Sequence, residues 1–196
     1  MRKTKIFAIA IYSIAVVFFA CSEPSQQQSE GVAQMSTKTA HGQLTYSAPD
    51  DWMKHPPASQ MRKDQYVLPG ADGHDNAELV VYHFPEMGGM VQANVNRWYG
   101  QIEQPDGSDT ASKAKVSTVQ VNDIEVTTVY VTGTYLKPKN PMDLTGPKDE
   151  MPGYAMLDAI VETGQGPWFF KATGPEETLT HWRPTFDEFV KTFKMN

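Results

Sequence analysis

Residues 115–135 read KVSTVQVNDIEVTTVYVTGTY. Valine, threonine and isoleucine crowd both sides of Asn122-Asp123, and β-branched residues favour a pleated, half-buried backbone. Asn and Asp are among the few residues that tolerate the left-handed conformation a two-residue hairpin turn requires. The stretch predicts a β-hairpin, Lys115–Val121 and Ile124–Tyr135, and with it an antiparallel sheet.

Three short runs extend this reading: VYV (129–131), LVVY (79–82) and WFF (168–170). A sheet with one wet face alternates apolar and polar residues, whereas continuous apolar runs imply burial on both faces. Most connections are too short for the crossovers of parallel pairing. The expected class is therefore α+β, a mainly antiparallel sheet with helices packed on it as an α/β sandwich, both faces at least partly covered.

Further strands are expected at Leu44–Ala48, Met61–Leu68, Ala77–Phe84, Tyr154–Thr163 and Pro167–Thr173, although Ala, Met and Leu leave a helix open for 154–163. Pro69–Asn76 is a turn cluster. From Met90 to Ile102 the period changes, with Val91, Val95, Trp98 and Ile102 at helical spacing. A second helix opens at Gly174-Pro175-Glu176-Glu177, with Pro in its first turn and acids at its positive end. Its apolar stripe is Leu179, Trp182, Phe186, Phe189 or Val190, and Phe193, and Pro184 is expected to kink or split it. Lys137–Gly153 holds four prolines and reads as a long exposed loop.

The amino-terminal end reads differently. Met1–Lys5 carries three cations and no acid, and Ile6–Ala20 is an uncharged run of 15 residues. That is the layout of an export signal, too short for a spanning helix of about 20 residues. Ser22 to Thr39 is rich in Ser and Gln and reads as a flexible tether. The expected organisation is a signal over 1–20, a tether over 21–40 and one globular domain over 41–196.

Without residues 1–20, which carry Arg2, Lys3 and Lys5, the chain keeps 23 acids against 14 Lys and Arg, a formal charge of −9. That disfavours nucleic acid and electrostatic attachment to anionic lipid. The one cysteine, Cys21, excludes an internal disulfide, thiol catalysis by a paired motif and CxxC metal sites.

Phe18-Phe19-Ala20-Cys21 resembles the lipobox of bacterial lipoproteins, with Phe where Leu is usual. The resemblance implies acylation of Cys21 and anchoring in a bacterial membrane. Ser22, in place of an inner-membrane retention aspartate, implies the periplasmic side of the outer membrane. Over residues 42–196 the order of elements resembles the PsbP-type fold of extrinsic photosystem II proteins, a Ran-binding nuclear protein family and DcrB-like bacterial lipoproteins. GGMVQANVNRWYGQ (88–101) and WFFKATGPEE (168–177) look like features of uncharacterised lipoproteins of this kind. That family has no single activity; its better-known members bind partners.

No catalytic motif appears: neither HExxH nor GxSxG, no phosphate loop and no dinucleotide fingerprint. No two of His41, His55, His74, His83 and His181 have zinc-helix spacing. Asp72–Asn76 lacks the ligand spacing of a calcium loop and reads as a polar turn. No metal or cofactor is expected. Two function classes stay open: a lipid-anchored, non-enzymatic binding or assembly module whose partner is an envelope protein or small ligand, and an envelope hydrolase whose site the sequence does not reveal. The candidate binding residues are Asn94, Arg97 and Gln101, which a helix would align beside Trp98. An Arg flanked by two amides can grip a carboxylate or a main-chain segment.

Overall fold

The computed structural model describes residues 42–85, 88, 91–140, 143 and 145–196. The expected signal, Cys21 and the tether lie outside these residues. The protein is α+β, built on an antiparallel sheet in the order β2-β3-β4-β9-β8-β7-β5, with β6 also paired to β7. The strands are β2 (Met53–His55), β3 (Arg62–Leu68), β4 (Ala77–His83), β5 (Ile102–Glu103), β6 (Lys115–Val121), β7 (Ile124–Pro138), β8 (Lys148–Thr163) and β9 (Gly166–Pro175). A separate two-stranded ladder joins β1 (Leu44–Thr45) to β10 (Lys194–Met195). The helices are α1 (Val91–Tyr99), α2 (Thr110–Lys113) and α3 (Glu176–Lys191).

The hairpin forms as its sequence dictates. Asn122 (φ 46°) and Asp123 (φ 64°) take the left-handed conformation, and Val121 faces Ile124. Period-two alternation then divides each central strand between two layers. On one face Leu79, Val81, Leu157, Val161, Trp168 and Phe170 pack against Leu179, Trp182, Phe186, Phe189 and Val190 of α3, with Phe193 just beyond it. On the other, Val129, Val131, Met156, Ile160 and Phe169 pack against Val95 and Trp98 of α1.

Several expectations are corrected. The Lys137–Gly153 loop is strand at both ends: Leu136, Lys137 and Pro138 of β7 pair with Glu150, Asp149 and Lys148 of β8, which runs on through Gly153. Its prolines are tolerated because Pro138 and Pro147 stand at or beside strand ends and Pro152 falls at an irregularity in the ladder, where few ladder donors are needed. Beside that irregularity, Gly133 sits at φ 154°, and a Cβ there would lie 2.5 Å from the Glu103 carbonyl oxygen, so only glycine lets β5 approach. The mid-chain helix stops at Tyr99, and Ile102 is buried from β5 rather than from a helical stripe. The strand expected at Leu44–Ala48 is only two residues long and belongs to the small ladder. β2 and α2 were not expected. Pro184 does not split α3, which runs unbroken through it because apolar residues on both sides of the proline are buried in one cluster. Residues 154–163 are strand throughout.

Candidate functional site

The α1 face carries charge inside its apolar layer. Met156, Asp158 and Ile160 alternate toward this face of β8, and the register sets Asp158 directly opposite Lys171 of β9. Asp158 is 0% exposed, and among the described residues neither of its carboxylate oxygens accepts a hydrogen bond. The Ala172 amide is the one nearby main-chain dipole favouring its charge, and it falls short of hydrogen-bond geometry. Burial therefore pushes the carboxyl well above the usual carboxylate range, with the Lys171 charge opposing.

Lys171 does not close on that carboxylate. Its Nζ donates a short hydrogen bond to Gln101 Oε1 and lies 5.5 Å from the centre of the Tyr135 ring. Burial lowers the ammonium to about 8; Asp158 opposes, while Arg97 and Arg62 push in the same direction as burial. Tyr135 is raised to about 12, by burial first and by the Asp158 charge second. Tyr82, also raised mainly by burial, feels Arg62, Glu78, Arg97 and Asp158. Toward solvent the cluster ends in a network on β3 and β4. Arg62 Nη1 donates to Glu78 Oε1 (3.1 Å) and to Gln65 Oε1 (2.9 Å), and Gln65 Nε2 donates to Glu78 Oε1 (2.7 Å).

The three sequence-derived candidates separate. Gln101 enters the cluster, but from the turn after α1, where its amide bonds the Trp98 carbonyl at 2.9 Å. Arg97 is exposed on α1 and acts on Lys171 and Tyr82 through charge. Asn94 is half-buried on the same helix. The helix ends before Gln101, so the three do not form one helical row. Asp158, Lys171 and Tyr135 escaped the sequence reading. Their signal was an acid in YAMLDAIVET and a lysine in WFFKAT, each placed among strand residues that are otherwise apolar. A charge at such a position is rarely left buried without a partner.

The described histidines lie apart from this cluster. His83 is half-buried, stacks on Trp168 (4.3 Å between centroids) and reaches the Gln165 carbonyl with Nε2 at 3.0 Å. His74 stands 3.8 Å from Glu177, and Asp72–Asn76 is a polar turn closed by the Gly70 amide on Asn76 Oδ1 at 2.8 Å. No group of three or more metal-ligating side chains occurs among the described residues. Trp52 and Trp168, at strand boundaries in the sequence, are both core.

Fold and cluster together define an antiparallel α+β domain with a buried acid and a lysine opposed beneath one helix. The chain matches no protein-family model and no curated protein. In overall arrangement it is similar to cyanobacterial PsbP (CyanoP) from Synechocystis, at 12% identity and a TM-score of 0.43, over 78% of this chain and 86% of that one. It is similar also to LpqN, involved in cell envelope biogenesis of Mycobacterium tuberculosis (13%, 0.47, 80% and 88%). A third similar structure is a protein of unknown function from Pseudomonas aeruginosa (12%, 0.47, 79% and 99%).

Proposed function

We propose that the protein is a lipid-anchored, non-enzymatic binding or assembly module of the bacterial cell envelope, and that it meets its partner where α1 ends. The observation that carries this reading is the meeting of Gln101, Lys171 and the charge of Arg97 above the unpartnered carboxylate of Asp158. Two cations and an amide at the end of one helix suit a partner that presents a carboxylate or an extended main chain. A buried acid beneath them acts on the Lys171 ammonium through charge while Gln101 holds it by a hydrogen bond, at an expense in desolvation that packing alone does not require.

Anchoring rests on the sequence. The basic start, the 15-residue apolar run and Ala20-Cys21 suit export and acylation of Cys21, and Ser22 suits the periplasmic side of the outer membrane. No helix among the described residues is long and apolar enough to cross a membrane. Mass spectrometry of the mature amino terminus should find an acylated Cys21; an unmodified thiol or a retained leader contradicts the anchor.

The binding reading is tested by crosslinking in intact envelopes followed by capture of the full chain. Arg97→Ala should lower the yield of crosslinked partner while the melting temperature stays near that of the parent; Gln101→Ala should lower the yield and the melting temperature together, because it removes the acceptor of the Lys171 ammonium. If both variants capture as well as the parent does, the partner surface lies elsewhere.

A further inference from the structure

The two ends of the sheet are finished differently. One ends in β2, three residues long, with Lys54 at its centre and Pro56-Pro57 just after it. Short length, lysine and proline are devices that keep an edge strand from pairing with another chain. At the other end β7 is flanked by the two-residue β5 and by β6, KVSTVQV, which is seven residues long and exposed at every position except Val121. It has no proline, glycine, acid or register shift, and its one charge is Lys115 at its first residue. Val116 (48% exposed) and Val119 (40%) are among the few large apolar side chains left in solvent. Among the described residues β6 pairs only with β7, and its outer edge has no strand beside it.

The turn determines which main-chain groups are free. In a two-residue hairpin the carbonyl of the first flanking residue accepts from the amide of the second, so Val121 and Ile124 form a hydrogen-bonded pair. Hydrogen-bonded pairs then alternate along an antiparallel ladder. The amides and carbonyls of Lys115, Ser117, Val119 and Val121 therefore point to β7, and those of Val116, Thr118 and Gln120 point outward.

We propose that β6 is an association edge for a second copy of this chain, paired antiparallel about a two-fold axis at Thr118. That axis sets Thr118 against Thr118, Val116 against Gln120, Ser117 against Val119 and Lys115 against Val121. Every outward amide and carbonyl of the three outward residues finds its counterpart. Threonine faces threonine, a favourable cross-strand pair, and no like charges oppose each other. The interface is isologous and closes on itself, so it stops at a dimer. The threonine pair on the axis and the absence of any acid or opposed like charge along β6 favour a second copy over an extended segment of another protein.

Sedimentation of the full chain in mild detergent tests this directly. The parent should show a concentration-dependent dimer. Thr118→Lys sets two ammonium groups face to face across the axis and should weaken dimerisation roughly tenfold or more. The substitution is at an exposed position whose main chain points away from β7, so the melting temperature should match the parent's at concentrations where both chains are monomeric. Thr118→Cys should form a disulfide-linked dimer on mild oxidation, since paired Cα atoms at about 5.5 Å lie within disulfide reach. Lys115→Cys should not, because its two copies lie at opposite ends of the pairing; Cys21 is present in both variants, so their difference reads position. A monomer at every concentration overturns the proposal. So does a dimer indifferent to Thr118→Lys, or a Thr118→Cys chain that crosslinks in envelopes to a different protein and never to itself.

Discussion

On the α3 face, Phe170, Phe186, Phe189 and Phe193 meet ring against ring, with Tyr46 at their edge and Trp52 against Phe189. On the α1 face, Asp158 and Lys171 stand in the same layer as Met156, Ile160 and Phe169. The same strands build both, since alternation sends Leu157 and Ala159 one way and Asp158 the other. Burying apolar area contributes about 25 cal/mol per Å², and the aromatic face uses that term almost alone. A charged group in such a layer stabilises only when its partners are complete, and those of Asp158 are not. The difference teaches that one face is organised for stability and that the other holds an arrangement stability does not require.

The comparison is broken most strongly at the rings. Phe170→Ala and Trp98→Ala, each removing a side chain that is at most 1% exposed, should destabilise by about 3–5 kcal/mol in urea unfolding. A loss under about 1 kcal/mol at Phe170 would show that the aromatic layer does not carry the fold.

The charged face should respond in a different pattern. Lys171→Met leaves a buried carboxylate without its nearest cation and should cost about 1–3 kcal/mol. The double variant Asp158→Leu/Lys171→Met should be as stable as the parent or more so, because it exchanges the opposed charges for apolar volume. If the double variant is less stable than Lys171→Met alone, the charges contribute to the fold and the contrast between the faces disappears.

Much of the fold was legible because its signals are local. A two-residue turn, apolar runs and a helix stripe with acids at its start need only neighbouring residues to be read. The elements that escaped are held by distant partners. Leu44-Thr45 is a strand because Lys194-Met195 lies beside it, and Lys148–Gly153 is strand because β7 extends past Gly133 to meet it. Of the residues around the buried pair, only Gln101 and Arg97 stood out by a local signal. Asp158 and Lys171 stand 13 positions apart, and a hairpin register, which the sequence does not state, makes them opposite.

A smaller effect follows from titration. Lys171 is held to about 8 in the fold against 10.5 for an ordinary lysine, so the folded state binds fewer protons than the open chain between these values. Stability should therefore rise with pH across that window. Asp158 acts with the opposite sign. Its raised carboxyl keeps a proton that the open chain has released, so its contribution is lost as pH climbs above the ordinary carboxylate range toward its folded value. Unfolding followed between pH 8 and 9, below the ordinary tyrosine value of 10 at which the open chain would begin to lose phenolic protons, should show the upward trend in the parent and none in Lys171→Met. An identical trend in both would assign it to another group.

The smallest change in stability is expected at Arg97. It is exposed on α1, and Arg97→Ala should shift stability by no more than about 0.5 kcal/mol. A larger loss would make Arg97 part of the packing rather than part of a binding surface.

The most direct test joins stability and capture in one protein. The full chain carrying Asp158→Leu/Lys171→Met is crosslinked in intact envelopes beside the parent, and the melting temperature and the yield of crosslinked partner are measured on the same preparations. Charges kept for binding predict a melting temperature equal to or above that of the parent and a yield reduced severalfold. A variant that captures its partner as fully as the parent at an unchanged melting temperature would contradict that account.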